Sequence, residues 1–204
     1  AGTFGEGIGC HDGTRRLFDA AVRDGVGCVL CMSSRAVFDG LPDHTPLTED
    51  REPCAASLYG QVKAQAEAYL FGLPLRAISL RATGLYAPGP NHKWTGLLAD
   101  YLAGRTIAPR RGTELHANDA ATACNILISS GFQGVAHASD MTLDRHDLLA
   151  EVQRITGLHH PLPPRSDRPV NHLICTALPD LGWQPGGIEL LRQSVPALLQ
   201  AALD

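Results

Sequence analysis

Tyr59 and Lys63 stand four residues apart in the run Ser57-Leu58-Tyr59-Gly60-Gln61-Val62-Lys63. On a helix that interval puts a phenol and an ammonium one turn apart on the same face. A free phenol titrates near pH ~10, so at neutral pH it is a poor proton donor or acceptor. A cation held beside a phenol favours the phenolate and draws its titration toward the working range. The chemistry open to such a pair is proton transfer to or from an alcohol or carbonyl oxygen. Spacing alone does not select it, because a solvated helix face also carries Tyr and Lys at this interval.

The preceding segment supplies a third group. Gly27-Cys28-Val29-Leu30-Cys31-Met32 is a charge-free apolar run, the pattern of a buried parallel strand. It leads into Ser33-Ser34-Arg35-Ala36-Val37-Phe38-Asp39-Gly40, which places two hydroxyls at the strand's carboxyl end. In open α/β sheets that end is where ligands bind. Leu41 to Glu52 reads as a Pro-containing loop leading into the Tyr-Lys helix. A strand-end serine, then tyrosine and lysine one turn apart, is a set suited to hydride chemistry at a C–OH or C=O centre.

In these segments the chain resembles the extended short-chain dehydrogenase/reductase family, the NAD-dependent epimerase/dehydratase group. The matching patterns are "SS-x-x-V-(Tyr/Phe)" at Ser33 to Phe38 and "YG-x-x-K" at Tyr59 to Lys63. Gly13-Thr14-Arg15-Arg16-Leu17-Phe18-Asp19-Ala20-Ala21 is similar to the family's "GT-x-x-L-x-x-AA" helix. Leu80-Arg81-Ala82-Thr83-Gly84-Leu85-Tyr86-Ala87-Pro88-Gly89 is similar to its "LR-x-x-x-x-YGPG" strand and loop. His116-Ala117-Asn118-Asp119-Ala120-Ala121 and Leu181-Gly182-Trp183-Gln184-Pro185 resemble its "HV-x-D-x-A" and "LGW-x-P" segments.

The resemblance implies a catalytic set of Ser34, Tyr59 and Lys63. Ser34 would hydrogen-bond the substrate oxygen, and Tyr59 would act as general acid in reduction or general base in oxidation. Lys63 would stabilise the Tyr59 phenolate and bond the nicotinamide ribose. The implied cofactor is NAD or NADP, met by Met32, Ser33, Tyr59, Lys63, Ala82, Thr83 and Gly84. A small-molecule substrate, sugar-like or another hydroxy or keto compound, would meet Ser34, Arg35, His92 and Trp94. A homodimer paired through the helices at 14–24 and 57–70 is also implied.

The expected fold class is α/β: a partial Rossmann-type doubly wound parallel sheet with a smaller C-terminal substrate-binding α/β region. Residues 1–85 read as the second half of a dinucleotide-binding domain. Residues 86–204 read mainly as the substrate-binding region, with 134–138 returning to the sheet. The family's Gly-rich turn between first strand and first helix has no counterpart. Ala1-Gly2-Thr3-Phe4-Gly5-Glu6-Gly7-Ile8-Gly9 is glycine-rich, but no apolar strand precedes it, and it reads as a loop. The expectation is therefore the later part of a longer protein, one that binds dinucleotide poorly without the remainder.

Departures from the family narrow the subtype. Where its dehydratases carry Thr-Asp-Glu, this chain has Ser34-Arg35-Ala36, which disfavours a sugar 4,6-dehydratase. An arginine that grips pyrophosphate in nucleotide-sugar enzymes is replaced by Gly112, with Arg110 and Arg111 just before it. The substrate-side Asn of "R-x-x-N" is replaced by Gly84. Val37-Phe38-Asp39-Gly40 pulls the other way, resembling the family's dTDP-4-keto-sugar reductases. Two functional readings follow. One is an NAD(P)-dependent oxidoreductase or epimerase; the alternative is a cofactor-free relative serving as a binding or regulatory module.

Composition sets outer bounds. The 204 residues are 44% hydrophobic with a net charge of −4 and a pI near 6.1, so no basic field argues for nucleic acid or an anionic membrane. No apolar run approaches the ~20 residues of a membrane helix, and the N-terminus lacks a signal-peptide pattern, so a cytoplasmic protein is expected. Cys28 and Cys31 sit in a predicted strand, where residues three apart point to opposite faces, so they are not expected to share a metal. Cys10, Cys54, Cys124 and Cys175 are scattered and read as reduced core thiols. His159 and His160 precede Pro161 and read as an exposed loop, and His116 reads as structural.

The elements that must position these groups alternate as an α/β chain should. Helices are expected over Thr14 to Asp24 and from the Tyr-Lys segment to Leu70, with a strand from Leu75 to Arg81. Further helices are expected over Leu97 to Ala103 and Asp119 to Ser129, and Thr142 precedes another that runs to about Thr156. A strand is expected over Gly134 to Ala138. Pro161, Pro163, Pro164 and Pro169 mark a linker, and Ile188 to Leu203 reads as a closing helix kinked or interrupted at Pro196.

Overall fold

The computed structural model describes residues 13–203. The glycine-rich opening and Cys10 lie outside the described residues. The chain divides into two compact units. Unit one takes the residues up to Thr83 together with Ala121–Ala138 and Asn171–Trp183. Unit two comprises Gly84–Ala120, Ser139–Val170 and the residues from Gln184 onward.

Unit one is built on a parallel sheet of three strands in the order β1-β2-β5, where β1 is Cys28–Ser34, β2 is Arg76–Ala82 and β5 is Gly134–Ala138. The register runs from Cys28 opposite Arg76 to Ser34 opposite Ala82, and from Ile78 opposite Gly134 to Ala82 opposite Ala138. The carboxyl ends of all three strands are thus level. Central β2 is buried at every residue but its first, as a strand covered on both faces must be. Helix α1 (Gly13–Arg23) and helix α2 (Leu58–Phe71) bring Phe18, Ala66 and Leu70 against Ala77. Val37, Phe38, Leu47 and Leu173 form a second cluster.

Unit two holds a smaller sheet, β3-β4-β6, with β3 at Gly84–Tyr86, β4 at Arg111–His116 and β6 at Met141–Asp144. Strand β4 runs parallel to β3 and antiparallel to β6. Helices α3 (Thr95–Leu102), α5 (Arg145–Thr156) and α7 (Gly187–Leu203) enclose a core that includes Tyr86, Tyr101, Leu149 and Leu198. Helix α4 (Ala117–Ser129) follows β4, and the short helix α6 (Ala177–Asp180) belongs to unit one.

Three local differences from the sequence reading have physical causes. The helix after Thr142 starts only at Arg145, because Met141–Asp144 forms a strand the sequence reading did not mark, with Thr142 opposite Thr113 of β4. Asp144 provides that start: its side chain accepts from His146 N–H, the ordinary capping bond. Pro196 does not interrupt the closing helix; α7 runs through it from Gly187 to Leu203. Its flanks Val195, Leu198 and Leu199 are buried, and that packing outweighs the missing N–H. Finally, Cys54 is exposed, so the thiols are not uniformly core residues.

Candidate active site

The site of interest lies at the carboxyl end of β1, in unit one. Three capping devices fold the chain there. Ser34 leaves the strand with φ −149° and its Oγ accepts from Ala36 N–H at 3.1 Å, opening the short 3-10 turn Arg35–Phe38. Asp39 closes that turn, and its Oδ1 accepts from the N–H groups of Ala56 and Ser57 at 2.6 and 3.1 Å. Burial works against the Asp39 carboxylate. The bonds from Ser57 and Ala56, with the charge of Arg35, outweigh it and hold the group below its ordinary range. Ser57 then caps α2 by accepting from Gly60 N–H at 3.1 Å. The turn after Ser34 and the first turn of the Tyr-Lys helix are therefore tied to each other.

Gly60 makes the tie close. A Cβ at this position would lie 2.1 Å from the carbonyl oxygen of Ala36. Only a residue without a side chain lets the helix approach the turn so nearly. One turn on, Lys63 Nζ donates to the Met32 carbonyl at 2.8 Å and lies 5.7 Å from the centroid of the Tyr59 ring. Lys63 is half-buried, while Tyr59 is 37% exposed. The structure thus gathers Met32, Ser34, Tyr59 and Lys63 on packed elements of one unit.

The neighbouring hydroxyls are informative. Ser33 and Thr83 are 6% and 7% exposed, and the oxygens Ser33 Oγ and Thr83 Oγ1 have no partner among the described residues. A buried hydroxyl without a partner is uncommon in a finished protein, and a bound ligand is one group that can supply the bond. Ser33 is the last residue but one of β1, and Thr83 follows β2 with its N–H bound to the Ala138 carbonyl at 3.1 Å. Ala82 is buried beside Thr83. A ribose or carboxamide, rich in hydrogen-bonding groups, fits this donor and acceptor set. Among the described residues no group of His, Cys, Asp or Glu could hold a metal ion.

Arg35 is half-buried in the turn after Ser34. His92, in unit two, accepts from Trp94 N–H at 3.2 Å through Nδ1, so Nε2 carries the proton it shares with the Leu198 carbonyl at 2.9 Å. Both ring nitrogens are used in packing. Trp94 is 7% exposed and stacks on Tyr86, with centroids 4.9 Å apart. Gly84 opens unit two, where a Cβ would meet Lys93 Nζ at 2.6 Å and Glu114 Oε2 at 2.8 Å. His116 is buried between the Tyr86 ring edge and Ser194, and burial lowers its pKa.

Residues 11–138, more than half of the chain, match the NAD dependent epimerase/dehydratase family. The chain belongs to this family. Among curated proteins none matches it in sequence. Solved structures of similar fold include a UDP-N-acetylglucosamine 4-epimerase from Methanobrevibacter ruminantium in complex with UDP-N-acetylmuramic acid, 18% identical with a TM-score of 0.75, covering 92% of this chain and 67% of that one. A UDP-glucuronic acid 4-epimerase from Bacillus cereus in complex with NAD is 15% identical with a TM-score of 0.76, covering 93% and 66%. RMD from Pseudomonas aeruginosa, complexed with NADPH, is 20% identical with a TM-score of 0.76, covering 93% and 70%. At these identities the likeness shows the fold, and this epimerase/dehydratase family member spans about two thirds of the length of those proteins.

Some residues that build the site escaped the sequence reading. Gly60 stood in the quoted helix segment, yet only its 2.1 Å approach to Ala36 gives it a reason. Glu67 lies one turn beyond Lys63 and binds Arg81 and Ser79 of β2. Its position four residues after Lys63 was the signal available, but a carboxylate there reads equally well as a solvated partner for the lysine.

Proposed function

We propose that this chain carries the proton-transfer half of an NAD- or NADP-dependent oxidoreductase or epimerase acting on a sugar-like or other small hydroxy or keto substrate. The observation that carries the reading is Lys63, held by the Met32 carbonyl and placed beside the Tyr59 ring, on a helix locked to the turn that Ser34 caps. The NAD-bound and NADPH-bound structures of similar fold support the cofactor class, and the unpartnered hydroxyls of Ser33 and Thr83 fit its ribose and carboxamide. When bound, nicotinamide supplies the hydride acceptor or donor.

The remaining steps belong to this chain's own residues. Ser34 Oγ, already accepting from Ala36 N–H, keeps its own proton to donate to a substrate oxygen. Tyr59 Oη gives a proton to that oxygen in reduction or takes one in oxidation. The Lys63 ammonium, fixed by one bond to Met32, has two further N–H donors and a positive charge to stabilise the phenolate. Pairing of two copies through α1 and α2 is supported by Leu17 and Phe71, which are 67% and 39% exposed on those helices.

The test is Tyr59→Phe in the longest expressible form of the protein. Single-turnover reduction of bound NAD or NADP by candidate sugar substrates is expected to vanish. Circular dichroism and thermal-shift response to the dinucleotides should stay unchanged. Undiminished hydride transfer in the variant would remove Tyr59 from the reaction. Absence of any dinucleotide response in the parent would favour a cofactor-free binding module instead.

A further inference from the structure

Within unit one, a single carboxylate fastens the loop that runs from the Ser34 turn to helix α2 onto two other segments of the chain. Glu49 is half-buried, and its oxygens collect three backbone N–H groups. Oε1 accepts from His137 at 2.9 Å and from Thr176 and Ala177 at 3.3 Å, and Oε2 accepts from Ala177 at 3.1 Å. Each of these donors needs an outside acceptor. His137 lies in β5, at one edge of the sheet β1-β2-β5, where an outward N–H meets no further strand among the described residues. Thr176 and Ala177 open α6, and the first N–H groups of a helix have no partner within it.

From this anchor a row of bonds leads to Tyr59. Leu47, two residues before Glu49, is fully buried and accepts from Ile174 N–H at 2.9 Å. Arg51, two residues after it, gives its carbonyl to Arg81 at 3.3 Å. Cys54 N–H then donates to the Val37 carbonyl at 2.8 Å, and the N–H groups of Ala56 and Ser57 go to Asp39. Ser57 caps α2, two residues before Tyr59. We propose that Glu49 is a positioning residue for proton transfer: by holding the loop to β5 and α6 it sets where the first turn of α2, and with it Tyr59, stands relative to Ser34. The inference rests on the proton-transfer reading of Tyr59. Glu49 acts through backbone groups, and a carboxylate suits the task because its two oxygens serve several donors in charge-assisted bonds. Placement matters to the reaction, since a misplacement of about 1 Å can cost about 10²-fold in rate.

Two measurements on Glu49→Ala, in the longest expressible form of the protein, test this. Amide hydrogen exchange at Ala56, Ser57 and Gly60, whose own acceptors the substitution leaves in place, should quicken about tenfold. Single-turnover hydride transfer at saturating dinucleotide and substrate should slow at least about tenfold, with dinucleotide affinity unchanged. Arg76→Ala is the control for stability alone. Arg76 starts β2, at the end of the sheet away from Ser34, and binds the carbonyls of Leu127, Ile128 and Phe132. That variant should lose stability yet keep its rate, and its exchange at the three amides, within about twofold of the parent. Glu49→Gln keeps one acceptor oxygen and should show the same changes to a smaller extent, so it decides the matter if the alanine variant does not fold. Unchanged exchange at the three amides, an unchanged rate, or an equal loss of rate in Arg76→Ala would each overturn the proposal. A parent without hydride transfer would instead fail the functional reading, and exchange alone would then decide whether Glu49 fixes the entry to α2.

Discussion

Glu67 and Arg81 meet at 2.7 Å with their side chains 4% and 3% exposed, and between them they tie α2 to β2. The Glu67 carboxylate also accepts from Ser79 Oγ at 2.9 Å and from Arg81 Nε at 3.1 Å. Arg81 continues the chain of contacts, donating to the Arg51 carbonyl at 3.3 Å and lying 4.8 Å from the centroid of Phe38. Phe38 ends the turn that Ser34 begins. One buried pair thus braces the helix of Tyr59 and Lys63 and the turn of Ser34 against the same strand.

Removing one partner leaves the other charge buried and unpaired. Glu67→Ala is expected to cost about 3–5 kcal/mol. The double variant Glu67→Leu with Arg81→Leu should regain much of that loss, because apolar side chains of similar volume need no counter-charge. Chemical denaturation of the two variants and the parent measures both effects. Equal stability of Glu67→Ala and the parent would show that the pair contributes nothing.

Gly60 and Gly96 allow a paired comparison. A Cβ at Gly60 meets the Ala36 carbonyl oxygen at 2.1 Å, whereas one at Gly96 in α3 meets nothing within 4 Å. Gly60→Ala must push the first turn of α2 off the Ser34 turn, at roughly 3 kcal/mol, the upper range of overpacking. Gly96→Ala should stabilise by about 0.5–1 kcal/mol, the gain of alanine over glycine in a helix. Thermal unfolding of the two variants distinguishes these signs, and a neutral Gly60→Ala would refute the close approach.

Much of unit one was legible because its signals are local. The apolar run at Cys28 to Met32 and the segment around the Tyr-Lys interval are each readable within a few residues, and the strand and helix fall there. Gly134 to Ala138 was equally readable as a short buried strand. Unit two was less so. Strands β3, β4 and β6 are three to six residues long, and β4 begins Arg111-Gly112, with no apolar alternation to mark it. Their pairing is decided by partners distant in sequence, such as Thr142 opposite Thr113. His92 illustrates the same limit. Its position after a Pro-Gly loop reads as ligand-facing, and only the Leu198 carbonyl, 106 residues on, shows where its proton goes.

His137 makes stability depend on pH. It is fully buried, with Nδ1 against the Ile174 carbonyl at 3.0 Å and its ring edge-on to Phe38. Burial, and then the neighbouring Arg81 charge, bring its pKa down to about 4 from an ordinary 6.5. Between those values the unfolded chain binds a proton that the folded one does not, so stability falls as pH drops from 6.5 to about 4. The loss is on the order of 3 kcal/mol for this group. Glu114 and Asp140, whose carboxyls burial pushes up, slope the other way. His137→Gln isolates the histidine's contribution: its denaturation free energy should change less across this window than the parent's. Parallel curves would exclude His137 as their source.

Lys63 separates structure from chemistry. Its bond to Met32 O at 2.8 Å satisfies a carbonyl at the end of β1, and its charge lies 5.7 Å from the Tyr59 ring centroid. Lys63→Met keeps the stem and removes both. Losing the bond to a half-buried carbonyl should cost about 1–2 kcal/mol, well short of unfolding the unit. Losing the charge should do far more to the proposed reaction, because proton transfer by a positioned group contributes about 10²–10⁴-fold. Lys63→Arg keeps the charge but cannot copy a compact ammonium, and is expected to restore stability more fully than turnover. Denaturation measures the first effect and single-turnover hydride transfer the second. If Lys63→Met lowered both only in proportion to its stability loss, the lysine would be a brace for α2 and no partner to Tyr59.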